Sequence, residues 1–152
     1  MFDAGPPFIP LSSMNIHEPS HGGIAFRRIA AAGAWSAGTA VALGAFGAHG
    51  LRGILSPEML AVYETGVRYQ MYHAMALVAA GLAGLLVRNR DRRLLLGASW
   101  AFGCGTLLFS GSLYAMALSG LRALGAVTPA GGLAFIAGWV LFGAAFVRGG
   151  RA

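Results

Sequence analysis

Four stretches of this chain each run for about 20 residues without an Asp, Glu, Lys or Arg, the length a helix needs to cross a hydrocarbon core of roughly 30 Å. They lie between Arg28 and Arg52, Arg68 and Arg88, Arg93 and Arg122, and Arg122 and Arg148. Inside a bilayer no water satisfies the backbone, so a spanning segment must be a helix or part of a closed barrel. Runs this long without apolar/polar alternation are helices. The chain is therefore read as an all-α, polytopic membrane protein, a four-transmembrane-helix bundle with spans at about 29–48, 70–87, 94–120 and 128–147.

Composition agrees. The 152 residues are 57% hydrophobic and only 11% charged, with a mean hydropathy of +0.66. A soluble domain carries roughly a quarter of its residues as charges, so a soluble enzyme fold is excluded. All eleven basic residues are arginine and the formal net charge is +6. Nucleic acid is not the expected partner, because the arginines stand in pairs and clusters between apolar runs rather than along a soluble basic face. The partner they imply is the lipid bilayer with its anionic head groups. The single cysteine, Cys104, rules out an intramolecular disulfide.

Arginine bias sets the expected orientation. Arg27, Arg28, Arg88, Arg90, Arg92, Arg93, Arg148 and Arg151 make 8 on one side, against 3 (Arg52, Arg68, Arg122) on the other. Both termini and the Arg88–Arg93 loop are expected in the cytoplasm. A cleaved signal ending near Ala45-Phe46-Gly47 is the rival for the first span. That run is longer than a usual signal core, so the span is read as retained.

Residues 1–24, rich in Pro, Ser and Gly, are read as a disordered tail, within which Met14 is an alternative start. His17 and His21 have metal-ligand spacing, but Pro19 between them argues against a helix, and a solvated tail is preferred. Residues 25–148 form the transmembrane domain and 149–152 a short C-terminal tail. Ser56-Pro57-Glu58 has the makings of a helix start: a capping hydroxyl, proline at the first position and an acid in the first turn. It should open a short amphipathic outside helix that runs into, or bends before, the second span, with Gly66 as a candidate bend and Glu64 and Arg68 as an i, i+4 pair. Thr128-Pro129 should cap the fourth span in the same way.

Four ordered blocks carry a resemblance. Gly44-Ala45-Phe46-Gly47-Ala48-His49-Gly50-Leu51, Tyr69-Gln70-Met71-Tyr72-His73-Ala74, Leu108-Phe109-Ser110-Gly111-Ser112-Leu113-Tyr114, and Thr128-Pro129-Ala130-Gly131-Gly132 with Gly138-Trp139 follow one another. Together they resemble domain-of-unknown-function family 423, small bacterial membrane proteins similar to human transmembrane protein 256. The resemblance covers about Ile29 to Val147, and the tail before Ile24 departs from the family's usual short N-terminus. It implies a small multi-pass plasma-membrane protein with no established activity, cofactor or catalytic residue.

The candidate site is a polar cluster of His49, Glu64, Arg68, Tyr69 and His73, expected at one outer interface because His49 ends the first span and His73 begins the second. Two imidazoles and a carboxylate there could hold a metal or pass protons. The plainer reading is that His49 suits the C-terminal dipole of its helix and His73 hydrogen-bonds across the bundle. With no third ligand at clear spacing, no metal and no cofactor are assigned. Hydroxyls at Ser36, Thr39, Ser99, Thr106, Ser110, Ser112 and Tyr114 could line a polar path, although such groups more often bond back to their own helix. Small-xxx-small pairs involving Gly38, Gly44, Gly105, Gly111 and Gly138 point to close helix packing. Trp35, Trp100 and Trp139 fall several residues inside the spans and are read as an interfacial belt or as lipid-facing or core-packing residues. Gly50-Leu51-Arg52 before Ser56-Pro57 and Gly120-Leu121-Arg122 before Thr128-Pro129 hint at a duplicated two-helix unit. The expected function is a non-enzymatic structural or accessory bundle that packs with a second copy or a membrane-protein partner. The alternative is a small transporter or ligand- or metal-binding protein using the outer cluster.

Overall fold

The structure is a computed structural model that describes residues 21–87 and 89–149. Four long helices follow one another: α1 (His21–His49), α2 (Pro57–Leu86), α3 (Asn89–Ser119) and α4 (Thr128–Gly149), with a short 3-10 turn (Arg122–Ala126) before the last. All four are long and apolar enough to cross a membrane. Residues 1–20, with the expected tail and His17, lie outside the described residues, and the chain is already helical from His21. The tail thus gives way to helix within residues 21–24.

Helix starts and stops follow local chemistry. Ser56 caps α2, its Oγ accepting from Met59 N at 3.3 Å, with Pro57 opening the helix and Glu58 in its first turn. Of the two alternatives, the outside helix runs straight into the second span as one unbroken helix. Gly66 does not bend it; its missing side chain instead makes room for the Tyr114 ring, which a Cβ would meet at 2.9 Å. Thr128 likewise does not serve as a cap. It is the first residue of α4, and its Oγ1 lies 2.8 Å from Ser112 Oγ, tying α4 to α3. Gly120 ends α3 with φ +73, a conformation natural to glycine, and its N–H donates to Met116 O at 2.9 Å.

Each helix packs antiparallel on the next. Glycines set the closest approaches: a Cβ on Gly81 would sit 2.5 Å from Ala30 N, one on Gly33 2.7 Å from Val78 N, and one on Gly131 would collide with Phe109 N. Of the five glycines expected at helix contacts, Gly44 meets Val67, Gly105 meets Phe135 and Gly138 meets Phe102. Gly38 and Gly111 do not pack within this chain and face open space. A small residue permits close approach, but only the rotation of its helix decides whether a neighbour stands there.

Three buried clusters stack through the bundle. Phe26, Leu95 and Ala145 lie at the arginine-rich end, Ala76, Ala98, Phe102 and Phe135 in the middle, and Leu51, Tyr63 and Ala117 at the far end. At the arginine-rich end Arg92 Nε donates to Gly84 O at 2.9 Å and its guanidinium lies over the Phe26 ring, joining α3 to both α2 and α1.

Candidate functional site

Packing register shows first that the expected cluster is not assembled. Gly33 faces Ala74 and Val78, while Gly47 faces Tyr63, so the end of α1 is level with the start of α2. His49 lies beyond Gly47, whereas His73 is ten residues further along α2 than Tyr63, a rise of roughly 15 Å. His49 is exposed and His73 is buried in the middle of its helix. The expectation that both sit at one interface is corrected: α2 starts at Pro57, 16 residues before His73, which carries His73 deep into the bundle.

Glu64 and Arg68 are both exposed and form no ion pair with each other among the described residues. Arg68 Nη2 instead donates to Thr65 Oγ1 at 3.2 Å, reaching back along α2 toward its outer end as a snorkelling cation does. The ion pair that does form joins Arg122 to Glu58 at 3.3 Å. No group of three or more His, Cys, Asp or Glu side chains is placed to hold a metal among the described residues.

His73 and Tyr69 do come together, within an aromatic stack between α2, α3 and α4. The His73 ring lies flat on Phe135, centroids 3.3 Å apart and planes within 5°. Tyr69 stacks on Phe109 at 4.4 Å. His73 Nδ1 is 2.8 Å from Tyr69 O, a carbonyl that can only accept, so Nδ1 carries the proton. Nε2 is left to accept from Trp139 Nε1 at 3.3 Å. Both ring nitrogens of a neutral imidazole are therefore engaged inside the bundle, and neither is free for a metal or a proton relay. Beside the stack a cleft of about 510 Å³ opens between α2 and α4, walled by Tyr72, Gly132 and Ile136.

A second polar centre escaped the reading of the sequence. Gln70, three residues before His73 and buried, hydrogen-bonds to two other helices at once. Its Nε2 donates to Ser36 O at 3.0 Å and to Thr39 Oγ1 at 2.9 Å on α1, and its Oε1 accepts from Tyr114 OH at 2.8 Å on α3. Tyr63 OH adds a bond to Leu43 O at 3.1 Å, and its ring lies 5.0 Å from that of Tyr114. The available signal was that Gln70 is the one glutamine in the chain and falls in a span. An amide in hydrocarbon needs partners for both ends, which makes it a connector by default. Ser110, close by, is 1% exposed and its Oγ has no hydrogen-bond partner.

The three tryptophans do not form an interfacial belt. Trp139 bonds to mid-helix His73, Trp35 follows Gly33 near the level of Ala74, and Trp100 lies near Ala98 of the middle cluster. All three are exposed, 78% for Trp35 and 74% for Trp100, at mid-depth rather than at the ends of the helices.

Comparison with known proteins gives a family. The profile described as protein of unknown function DUF423 matches residues 43–132. The chain is 46% identical over 117 residues to the UPF0382 membrane protein YwdK of Bacillus subtilis (strain 168), covering 76% of this chain and 93% of that one. It is 42% identical over 104 residues to the UPF0382 inner membrane protein YgdD of Escherichia coli (strain K12), covering 66% and 75%. Similar likeness, 46% over 100 residues, links it to a UPF0382 membrane protein of Haemophilus influenzae, covering 66% and 77%. No solved structure matches. With four apolar spanning helices and these relatives, the chain is a multi-pass membrane protein belonging to the DUF423 family of proteins of unknown function.

Proposed function

We propose that this protein is a non-enzymatic, structural or accessory helix bundle of the bacterial plasma membrane, with both termini in the cytoplasm, working through association with a second copy or another membrane protein. The observation that carries this reading is the state of His73. Both of its ring nitrogens are engaged within the bundle, by Tyr69 O of its own helix and by Trp139 Nε1 of α4, so that the imidazole ties α2 to α4. Support for association comes from Gly38 on α1 and Gly111 on α3, small residues that no helix of this chain packs against and that leave room for a neighbouring helix. The inner-membrane name of the relative YgdD supports the location.

Native mass spectrometry of the protein extracted gently from its own membrane tests this. The expected result is a discrete oligomer or a second protein subunit at fixed stoichiometry. A monomer carrying a stoichiometric small molecule that is lost from a His73→Phe protein would overturn the reading in favour of a ligand-binding or transport protein.

A further inference from the structure

Going beyond that reading, the geometry points to a binding site for an uncharged, lipid-soluble molecule of the isoprenoid-quinone class in the seam between α1 and α3. The seam holds a cleft of about 340 Å³ whose polar lining is Ser36, Thr39, Gln70, Thr106, Ser110 and Tyr114. Most of these groups are already used. Gln70, Thr39 and Tyr114 satisfy one another and Ser36 O, and Thr106 Oγ1 donates to Phe102 O at 2.9 Å. Two side-chain hydroxyls are left over: that of Ser36, which is half-buried, and that of Ser110, which is 99% buried and has no partner, one side-chain rotation from the cleft its residue lines. A buried hydroxyl left without a partner is destabilising, and here a ligand acceptor removes that cost.

The chemistry of the walls selects the ligand. No charged side chain lines this cleft, so an ion or charged substrate would enter hydrocarbon uncompensated. Head groups of ordinary phospholipids stay at the interface, whereas Gln70 and Thr106 lie in the middle of long helices. A ligand placing a polar group at that depth must be neutral and carried on an apolar body. The seam provides for the body as well. A further cavity of about 300 Å³ shares Ser36, Thr106 and Leu107 with the cleft and is otherwise walled by Leu77, Trp100, Gly103 and Cys104. Leu77, Trp100 and Gly103 also border a third cavity of about 450 Å³, which reaches Arg28 at the arginine-rich end. A carbonyl-bearing ring accepting from Ser110, with an isoprenoid tail along the apolar seam, uses each of these features. Gly111 leaves the floor of the cleft open, since a Cβ there would meet nothing within 4 Å.

Trp35 lines the cleft, so quinone binding can be read by quenching of tryptophan fluorescence. Decylubiquinone would be titrated into the full-length protein in lipid nanodiscs. We expect saturable quenching at one quinone per chain. Ser110→Ala should weaken it roughly threefold to tenfold, the worth of one hydrogen bond. Gly111→Leu, which fills the floor, should weaken it by at least tenfold. Gly143→Leu on α4 also points into open space and should leave binding unchanged. Quenching that never saturates, or is equal in all four proteins, would mean partition into lipid only and would overturn the proposal. Binding lost in Gly111→Leu but untouched in Ser110→Ala would overturn the hydrogen-bonded head. Ser110→Ala removes an unpartnered group and should fold normally, so it carries the test even if Gly111→Leu does not accumulate.

Discussion

The two sides of α2 solve the same problem differently. His73 faces α4 and Gln70 faces α1 and α3, three residues apart at the same depth. On the α4 side the polar atoms are few and enclosed by aromatic rings: one imidazole, one indole N–H and one helix carbonyl close a short chain of hydrogen bonds. On the α1–α3 side an amide and several hydroxyls form a wider network, and the buried Ser110 hydroxyl is left without a partner. The difference teaches that burial of polar groups in a membrane is not by itself a sign of function. What separates the two sides is whether the donors and acceptors balance, and they balance only around His73.

The strongest way to break the comparison is to force the helices apart on each side in turn. Gly131→Ala drives a methyl into the α3 backbone and Gly81→Ala drives one into α1, where no side chain can swing away. Each should cost about 1–3 kcal/mol of unfolding free energy, measured by denaturant titration in mixed micelles, or abolish accumulation. Similar losses at both would show that the two hairpins contribute equally, and a loss at only one would make the other a loosely attached pair.

Next in size is the contrast between the polar centres. Gln70→Leu removes three cross-helix hydrogen bonds and orphans Tyr114 OH, whereas His73→Phe removes one cross-helix bond and preserves the stack on Phe135. With interhelical bonds in membranes worth about 0.6 kcal/mol on average, the expected costs are roughly 2 kcal/mol and below about 1 kcal/mol. A larger loss at His73, by the same titration, would shift the weight of the structure to the aromatic side. The smallest effect is expected at the outer surface. Arg122→Ala breaks the exposed pair with Glu58 and should change stability by no more than about 0.5 kcal/mol, less still in high salt.

Much of the architecture could be read without coordinates. Four spans follow from uncharged run lengths alone, because the bilayer imposes one length scale and leaves the backbone one open-ended solution. The start of α2 at Ser56-Pro57 was equally legible, since a cap is a matter of neighbouring residues. The candidate site was legible only in part. Tyr69 and His73 are neighbours because they lie one helical turn apart, which sequence spacing shows. Their association with His49 failed because run length locates where charges stop, whereas α2 had begun a dozen residues earlier. The missing Glu64–Arg68 pair has the same lesson on a smaller scale, as spacing permits a contact that rotamers and the pull toward the interface then decline.

By itself, the sequence determined that the chain crosses a membrane as helices, how many times, and which loops carry the arginines, since each depends on local solubility in water or hydrocarbon. Only the tertiary structure decided that Gly38 and Gly111 stay unpacked, that Gln70 rather than His49 is the polar hub, and that Ser110 is left without a partner. These depend on how each helix is rotated and raised against its neighbours. In hydrocarbon every face is equally soluble, so that choice rests with packing and paired hydrogen bonds, which no single segment contains.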